Sequence, residues 1–461
     1  MTFDPILAET RFGCGLAPGI AAPDSVRAMV AGLSGPDPMA KRFPVETTEV
    51  FLTRMQRREK LRKERRAVRG TPEAQEIVKL MRLQNKEARI DHLTWMASHI
   101  LRRVYSTTAF RERVEGFWAD HFTATGKQGM IRRATSPYVE SAIRPRLTSR
   151  FEDLLIAAVT HPLMVHYLDQ QSSAGPNSKA VLKGSKTQGL NENLAREILE
   201  LHTLGVDGPY TQTDVRELAE LLTGLTINNR TGRHFRKDLT EPGTETVLGK
   251  TYGGDNPNIR DIEAVLRDLA RHPATARHIA GKLAVHFVSD TPDPGLVVAM
   301  ERAWRDSGGA LEEVYQAMLS HPAAWLSERP NFKQPFDFIS SALRALEIVP
   351  QALYGLKEHG FRLRIHEPLR LMGHTWQKPD GPDGLEEDDS AWITPQGMAA
   401  RLQWAVTVPQ LLRPDLPDPR DFVETTLGPR APEAVRFAAS AAESRADGVG
   451  IVLASPAFQR M

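Results

Sequence analysis

The chain has 461 residues, 41% hydrophobic and 25% charged, with a formal net charge of +2. That length holds about two to three domain equivalents, and the near-neutral balance excludes a polyelectrolyte. A lone cysteine, Cys14, excludes an internal disulfide framework and any multi-cysteine metal site.

The first residues, Met1-Thr-Phe-Asp-Pro-Ile-Leu-Ala-Glu9, carry no basic n-region, apolar h-region or twin-arginine pair. A cytoplasmic protein is therefore expected. No window approaches about 18 consecutive apolar residues, so no membrane span is expected. Residues 1–40 read as an N-terminal segment and 41–90 as a basic helical segment. Within the latter, residues 54–69 hold nine basic and two acidic side chains. That stretch alone is worth +7, leaving −5 for the rest of the chain. It lacks aromatic side chains for stacking on bases, and its apolar face is too thin for an interfacial anchor. A solvated or partner-facing helix is expected, with no nucleic acid.

Residues 91–330 read as a helical core. Gly116-Phe-Trp-Ala-Asp-His-Phe122 closes an aromatic-rich helix in which Phe117, Trp118 and Phe122 anchor packing. His121, one turn from Phe117, is the histidine best placed to face a pocket. Pro176 to Gly189 is a polar loop. Within it Gly184-Ser-Lys-Thr187 lacks the glycine spacing and preceding strand of a P-loop.

Residues 191–224 are the densest block of signals. Asn193, Arg196, Glu197 and Glu200 fall within one arc of about 100° on a helical wheel. Leu194, Ala195, Ile198, Leu199 and Leu201 fill the remainder, so the helix is expected to be buried. A buried stripe of carboxylates, guanidinium and amide must be paired. In one reading Glu197 and Glu200 serve metal coordination or proton transfer, Arg196 holds an anion, and Glu192 and Asn193 add binding contacts. In the other, Arg196 bridges Glu192 and Glu200 structurally. The wheel sets His202 among the apolar positions, away from the carboxylates. Gly205 supplies a left-handed cap, Thr211 and Asp214 a capping box, and Gly224 the next helix end.

Gly243 to Gly254 is the best hairpin candidate. His161, His272 and His321 each precede a proline after an apolar stretch, so they read as helix stops capping the last carbonyls. Residues 331–461 form a C-terminal helical region. Its acidic loop, 380–389, has six carboxylates in ten residues, without the oxygen spacing of an EF-hand. The overall expectation is an all-α, mostly helical array with minor β-hairpin content. No HExxH, CxxC or GxSxG occurs.

Several ordered blocks share a signature: Arg11-Phe-Gly-Cys-Gly15, Phe117-Trp-Ala-Asp-His-Phe122, Asn191 through Gly205, Gly208-Pro-Tyr-Thr-Gln-Thr-Asp214, His272 through Leu283 and Ser455-Pro-Ala-Phe-Gln459. With them the chain resembles the bacterial family known as domain of unknown function 1800 over nearly its whole length. The resemblance implies a single, mostly helical family unit over 1–461 and supplies no activity, cofactor or metal. It also implies an exported, alkaline-phosphatase- or sulfatase-like partner, and with it co-export to the periplasm as the alternative location. Two functions follow as expectations. One is a helical interaction or assembly factor for that partner. The other is a hydrolase-type or metal-dependent enzyme built on His121, Arg196, Glu197 and Glu200.

Overall fold

Prolines and short polar caps divide this chain into helices. The structure, a computed structural model, describes residues 3–184, 189–228, 232–328 and 330–461. The P-loop-like residues Ser185 to Thr187 lie outside the described residues. The architecture is mostly helical, with two two-stranded antiparallel hairpins. Thr211 and Asp214 form the expected capping box, and Asn258 with Asp261 forms a second one. Gly205 and Gly224 both take positive φ, at 91° and 87°.

The His-Pro stops act differently from expectation. Each imidazole Nδ1 accepts a backbone N–H two residues on: Leu163 for His161 at 3.1 Å, Ala274 for His272 at 3.1 Å and Ala323 for His321 at 3.3 Å. They cap the start of the following helical segment and not the carbonyls of the preceding helix. The proline supplies the first helical residue, where no N–H is needed, and the histidine satisfies a donor beyond it.

Eight helices position the features that matter below: α1 (Thr48–Ala67), α2 (Pro72–Tyr105), α3 (Ala109–His121), α4 (Asn193–Glu197), α5 (Gln212–Leu221), α6 (Ile259–Arg271), α7 (Pro273–Phe287) and α8 (Pro335–Ala345). One hydrophobic cluster runs from Leu7 to Phe458, with Trp118, Trp304 and Trp404 fully buried in it. α2 packs along α8 and meets α3 at its C-terminal end. The N-terminal half of α2 instead folds back on α1 as a hairpin. Its outer part is held by a small cluster of Leu61, Ile77 and Met81, with Val68 packed alongside, and by Arg58 donating to the Met81 carbonyl at 2.7 Å.

The expected hairpin is present as β3 (Gly243–Val247) and β4 (Lys250–Gly254), pairing Gly243 with Gly254. A hairpin not anticipated from sequence precedes it, β1 (Leu225–Asn228) with β2 (Gly232–Phe235), pairing Leu225 with Phe235. Among the described residues no helix is long and apolar enough to cross a membrane.

Candidate functional site

The carboxylate and arginine stripe on α4 is a half-exposed ion-pair ladder. Arg196 donates to Glu200 at 3.3 Å, to Glu192 at 3.3 Å and to the Gln212 side-chain oxygen at 3.1 Å. The Arg196 and Glu192 side chains are 38% and 34% exposed, so water screens this ladder. Asn193 is exposed, and its backbone N–H donates to Asn191 Oδ1 at 2.9 Å. The expectation of a buried stripe is thus corrected: α4 lies at the surface along this side, and Arg196 bridges its i−4 and i+4 neighbours. Burial, with Glu200 and Asp383 adding, pushes the Glu197 carboxyl up to about 7.

His121 and His202 are brought together, and His202 is buried away from Glu197 and Glu200, where the wheel sets it. Residues Ile198–Thr203 wind as a π-helix, with the Leu204 N–H donating to the Leu199 carbonyl at 2.9 Å. The wider turn rotates every later residue away from its ideal wheel position. His202 packs against His121, with ring centroids 6.0 Å apart. Both are buried, and burial holds His121 well below its ordinary value. The charges acting on His121 come from Lys282, His202 and His278, whereas Glu197 feels Glu200, Asp383 and Arg196. His121 packs among Phe117, Trp118, Phe122 and His202, whereas Arg196 ties to Glu192, Glu200 and Gln212.

A different set converges. A cavity of about 100 Å³ lies where α2, α3, α7, α8 and the segment from His374 to Leu385 meet. α2 contributes His99 and Arg103, α3 contributes Arg113, Glu115 and Asp120, α7 contributes His286, and α8 contributes Asp337. Asp337 accepts from Arg103 on Oδ1 and from Arg113 on Oδ2. Burial alone would raise its carboxyl, but the two guanidiniums outweigh that and hold it far below the usual range. Glu115 accepts from His99 at 3.1 Å and from Arg144. Arg144, with His99 and Arg102, overcomes burial there too, so Glu115 stays ionised.

The acidic loop 380–389 covers this cavity and is not merely a solvated excursion. The Leu385 N–H donates to both carboxylate oxygens of Asp120 at 3.0 Å. Gly384 sits above Asp120 at φ +91°, where an added Cβ would come within 2.5 Å of the carboxylate. Glu387 approaches His286 Nδ1 at 2.9 Å with each carboxylate oxygen. Trp392 Nε1 donates to the Glu386 carbonyl at 3.0 Å and ties the loop down.

These contacts define what the site can do. An ionised carboxylate accepts only, so His286 carries its proton on Nδ1 and leaves Nε2 as the acceptor of the neutral ring. A carboxylate-oriented imidazole is a competent general base. Burial, reinforced by Glu387, pushes Asp120 up to about 7, so it retains a proton near neutrality and is suited to act as an acid. The arginines supply positive charge for an anion.

Elsewhere, Glu217, Glu220 and Glu245 form a carboxylate cluster with metal-like spacing on α5 and β3. Burial, with Glu220 and Glu217 adding, pushes Glu245 up to about 8.

Reasoning from sequence misses Asp120, His286, Asp337 and both arginines, although a usable signal exists. The pair Arg102-Arg103 interrupts the apolar run from Ile100 to Val104, and Asp337 separates Phe336 from Phe338. Charges embedded in apolar helical runs must find buried partners. No curated protein and no solved structure matches this chain. Residues 12–460 match the family described as Protein of unknown function (DUF1800), to which the chain therefore belongs.

Proposed function

We propose that the chain is an acid–base enzyme of hydrolase type whose reaction takes place in the cavity between α2, α3, α7 and α8. The observation that carries this reading is that His286, held by Glu387, and Asp120, which retains a proton near neutrality, line one cavity. His286 Nε2 takes a proton from the attacking water, and Asp120 donates its proton to the leaving group. Glu387 holds the imidazole in the required tautomer and stabilises the imidazolium that forms. The 380–389 loop excludes bulk water, which strengthens each of these interactions.

The test is hydrolysis of nitrophenyl acetate, phosphate, sulfate and glycoside esters by purified protein. His286→Gln keeps the ring's approximate size and removes the base, so turnover of the accepted substrate class should fall about 10²- to 10⁴-fold. Equal rates in the variant and the parent protein would end this reading.

A docking role is the second reading, and the α1–α2 hairpin favours it. Arg65, Arg66, Arg69, Lys79 and Arg82 surround a groove at its tip, and Leu80 and Leu83 are 46% and 51% exposed nearby. Concentrated positive charge with apolar contacts fits an acidic protein surface, such as the exported phosphatase- or sulfatase-like partner. Charge reversal of Arg65, Arg66 and Arg69 to Glu should weaken that complex at least about tenfold in a pull-down titration at low salt. An unchanged affinity would remove the hairpin as the docking surface.

A further inference from the structure

We infer that the molecule bound in this cavity carries an oxyanion, a carboxylate, phosphate or sulfate group, held by Arg113 and Arg103 on the Asp337 side. The inference rests on the reading of the cavity as a reaction site and names the class of its substrate. Three observations lead to it.

The first is the local balance of charge. Two buried guanidiniums share a single carboxylate, Asp337, one on each oxygen. The other carboxylates nearby are already engaged. Glu112 is paired bidentately by Arg144 at 2.9 Å on each oxygen, and Glu115 by Arg144 and His99. Arg401, behind Asp337, adds a further cation satisfied by the Gln459 side chain and the Lys333 carbonyl. Asp337 is thus the one carboxylate, among the described residues, that either guanidinium pairs with directly, and burying a cation with half a partner is costly.

The second is buried nitrogens without partners. Arg113 is 2% exposed, yet its Nε and one Nη have no hydrogen-bond partner among the described residues. His99 Nε2 and His374 Nδ1 are buried and likewise unpartnered there, and both residues line the same cavity. Buried polar atoms without partners are rare, and the two free guanidinium donors of Arg113 mark a place where a ligand's acceptors go. A guanidinium's planar fork matches the paired oxygens of an oxyanion.

The third is room. Gly116 lies on the cavity wall, where a Cβ would come within 2.7 Å of the Arg103 Nη2 atom. The absent side chain leaves the Arg103 edge open beside Arg113. The site then has a polarity. The anion is fixed by the arginines, and the bond to be broken is presented to His286 and Asp120 under the 380–389 loop.

Inorganic phosphate, sulfate and acetate, titrated into the full-length protein in chloride buffer, test this. With histidine-labelled protein, at least one anion should shift the ring signals of His99 and His374 saturably at millimolar concentration. His272 and His321, which cap helices elsewhere, should not move. The anion bound most tightly assigns the source chemistry. Arg113→Lys, which keeps the charge while losing the fork, should weaken that anion at least tenfold. His286→Gln should leave its affinity within twofold. Absence of a saturable shift from all three anions would overturn the inference, even on parent protein alone. So would an affinity unchanged in Arg113→Lys. Anion binding without hydrolysis of any ester would instead remove the enzymatic reading and leave this one standing. Turnover lost in His286→Gln with no anion bound would do the reverse.

Discussion

Asp337→Asn is expected to lower the unfolding free energy by about 3–5 kcal/mol, the largest stability effect of any single substitution near the cavity. The carboxylate is buried between Arg103 and Arg113 and flanked by Phe336 and Phe338. An amide of the same shape preserves packing, so the loss reports charge and hydrogen bonding alone. Two largely buried guanidiniums then face each other with one acceptor oxygen left for both. Removing one member of a buried pair is costly because the survivor keeps its desolvation penalty. Arg196→Ala provides the contrast. Its ladder to Glu192 and Glu200 is half exposed, and its loss should cost only about 0–1 kcal/mol. Urea denaturation of both variants at neutral pH reads the difference. If Asp337→Asn cost less than Arg196→Ala, Asp337 would not be what neutralises the two arginines.

The contrast between these two ion-pair systems also shows where sequence reasoning works. The Arg196 ladder is legible because its partners are four residues away on one helix. Arg103 and Asp337 are 234 residues apart, and His286 and Glu387 are 101 apart. No local period connects them. The helical architecture is legible for the opposite reason. Capping boxes, proline starts and apolar stripes are all short-range, and Thr211, Asp214 and Gly205 behave as their types require. The β1–β2 hairpin escapes notice because the short strand Leu225–Asn228 is buried at two successive positions and shows no clean alternation.

One success and one failure are more instructive. The wheel sets His202 among apolar positions away from Glu197 and Glu200, and it is buried against His121 and Phe122 even though Ile198–Thr203 winds as a π-turn. The 380–389 loop reads as solvated because six carboxylates ordinarily seek water. Two of its groups nevertheless reach inward, the Leu385 N–H to Asp120 and Glu387 to His286. A backbone amide carries no sequence signal at all. Glu387 is one of six acidic residues and is distinguished only by what it meets.

Asp120→Asn should separate protonation from shape at the same site. The carboxyl titrates at about 7 in the folded chain against an ordinary 3.8, so the native state holds a proton that the unfolded chain releases. Between those values the folded protein binds more protons, and stability falls as pH rises through the interval. The penalty is absent below about 4 and complete above about 7. A tenfold difference in proton affinity between folded and unfolded chain corresponds to about 1.4 kcal/mol, so a few kcal/mol is the upper bound. The Asn variant mimics the protonated acid and still accepts from the Leu385 N–H. It should therefore match the parent protein near pH 4 and exceed it in stability at pH 8. Activity should move the opposite way. Parent turnover should decline above about pH 7 as Asp120 loses the proton it donates. The variant should lose that limb together with about 10²- to 10⁴-fold in rate. Thermal melts from pH 4 to 8, paired with rates over the same range, give both readouts. A variant no more stable than the parent at pH 8 would mean that Asp120 is ionised in the folded chain. It would then act as an acceptor for the loop and not as an acid. A gain in stability combined with an unaltered rate profile would keep the buried proton and remove it from the reaction. The two measurements together distinguish a carboxyl that is protonated because it is buried from one whose proton is used.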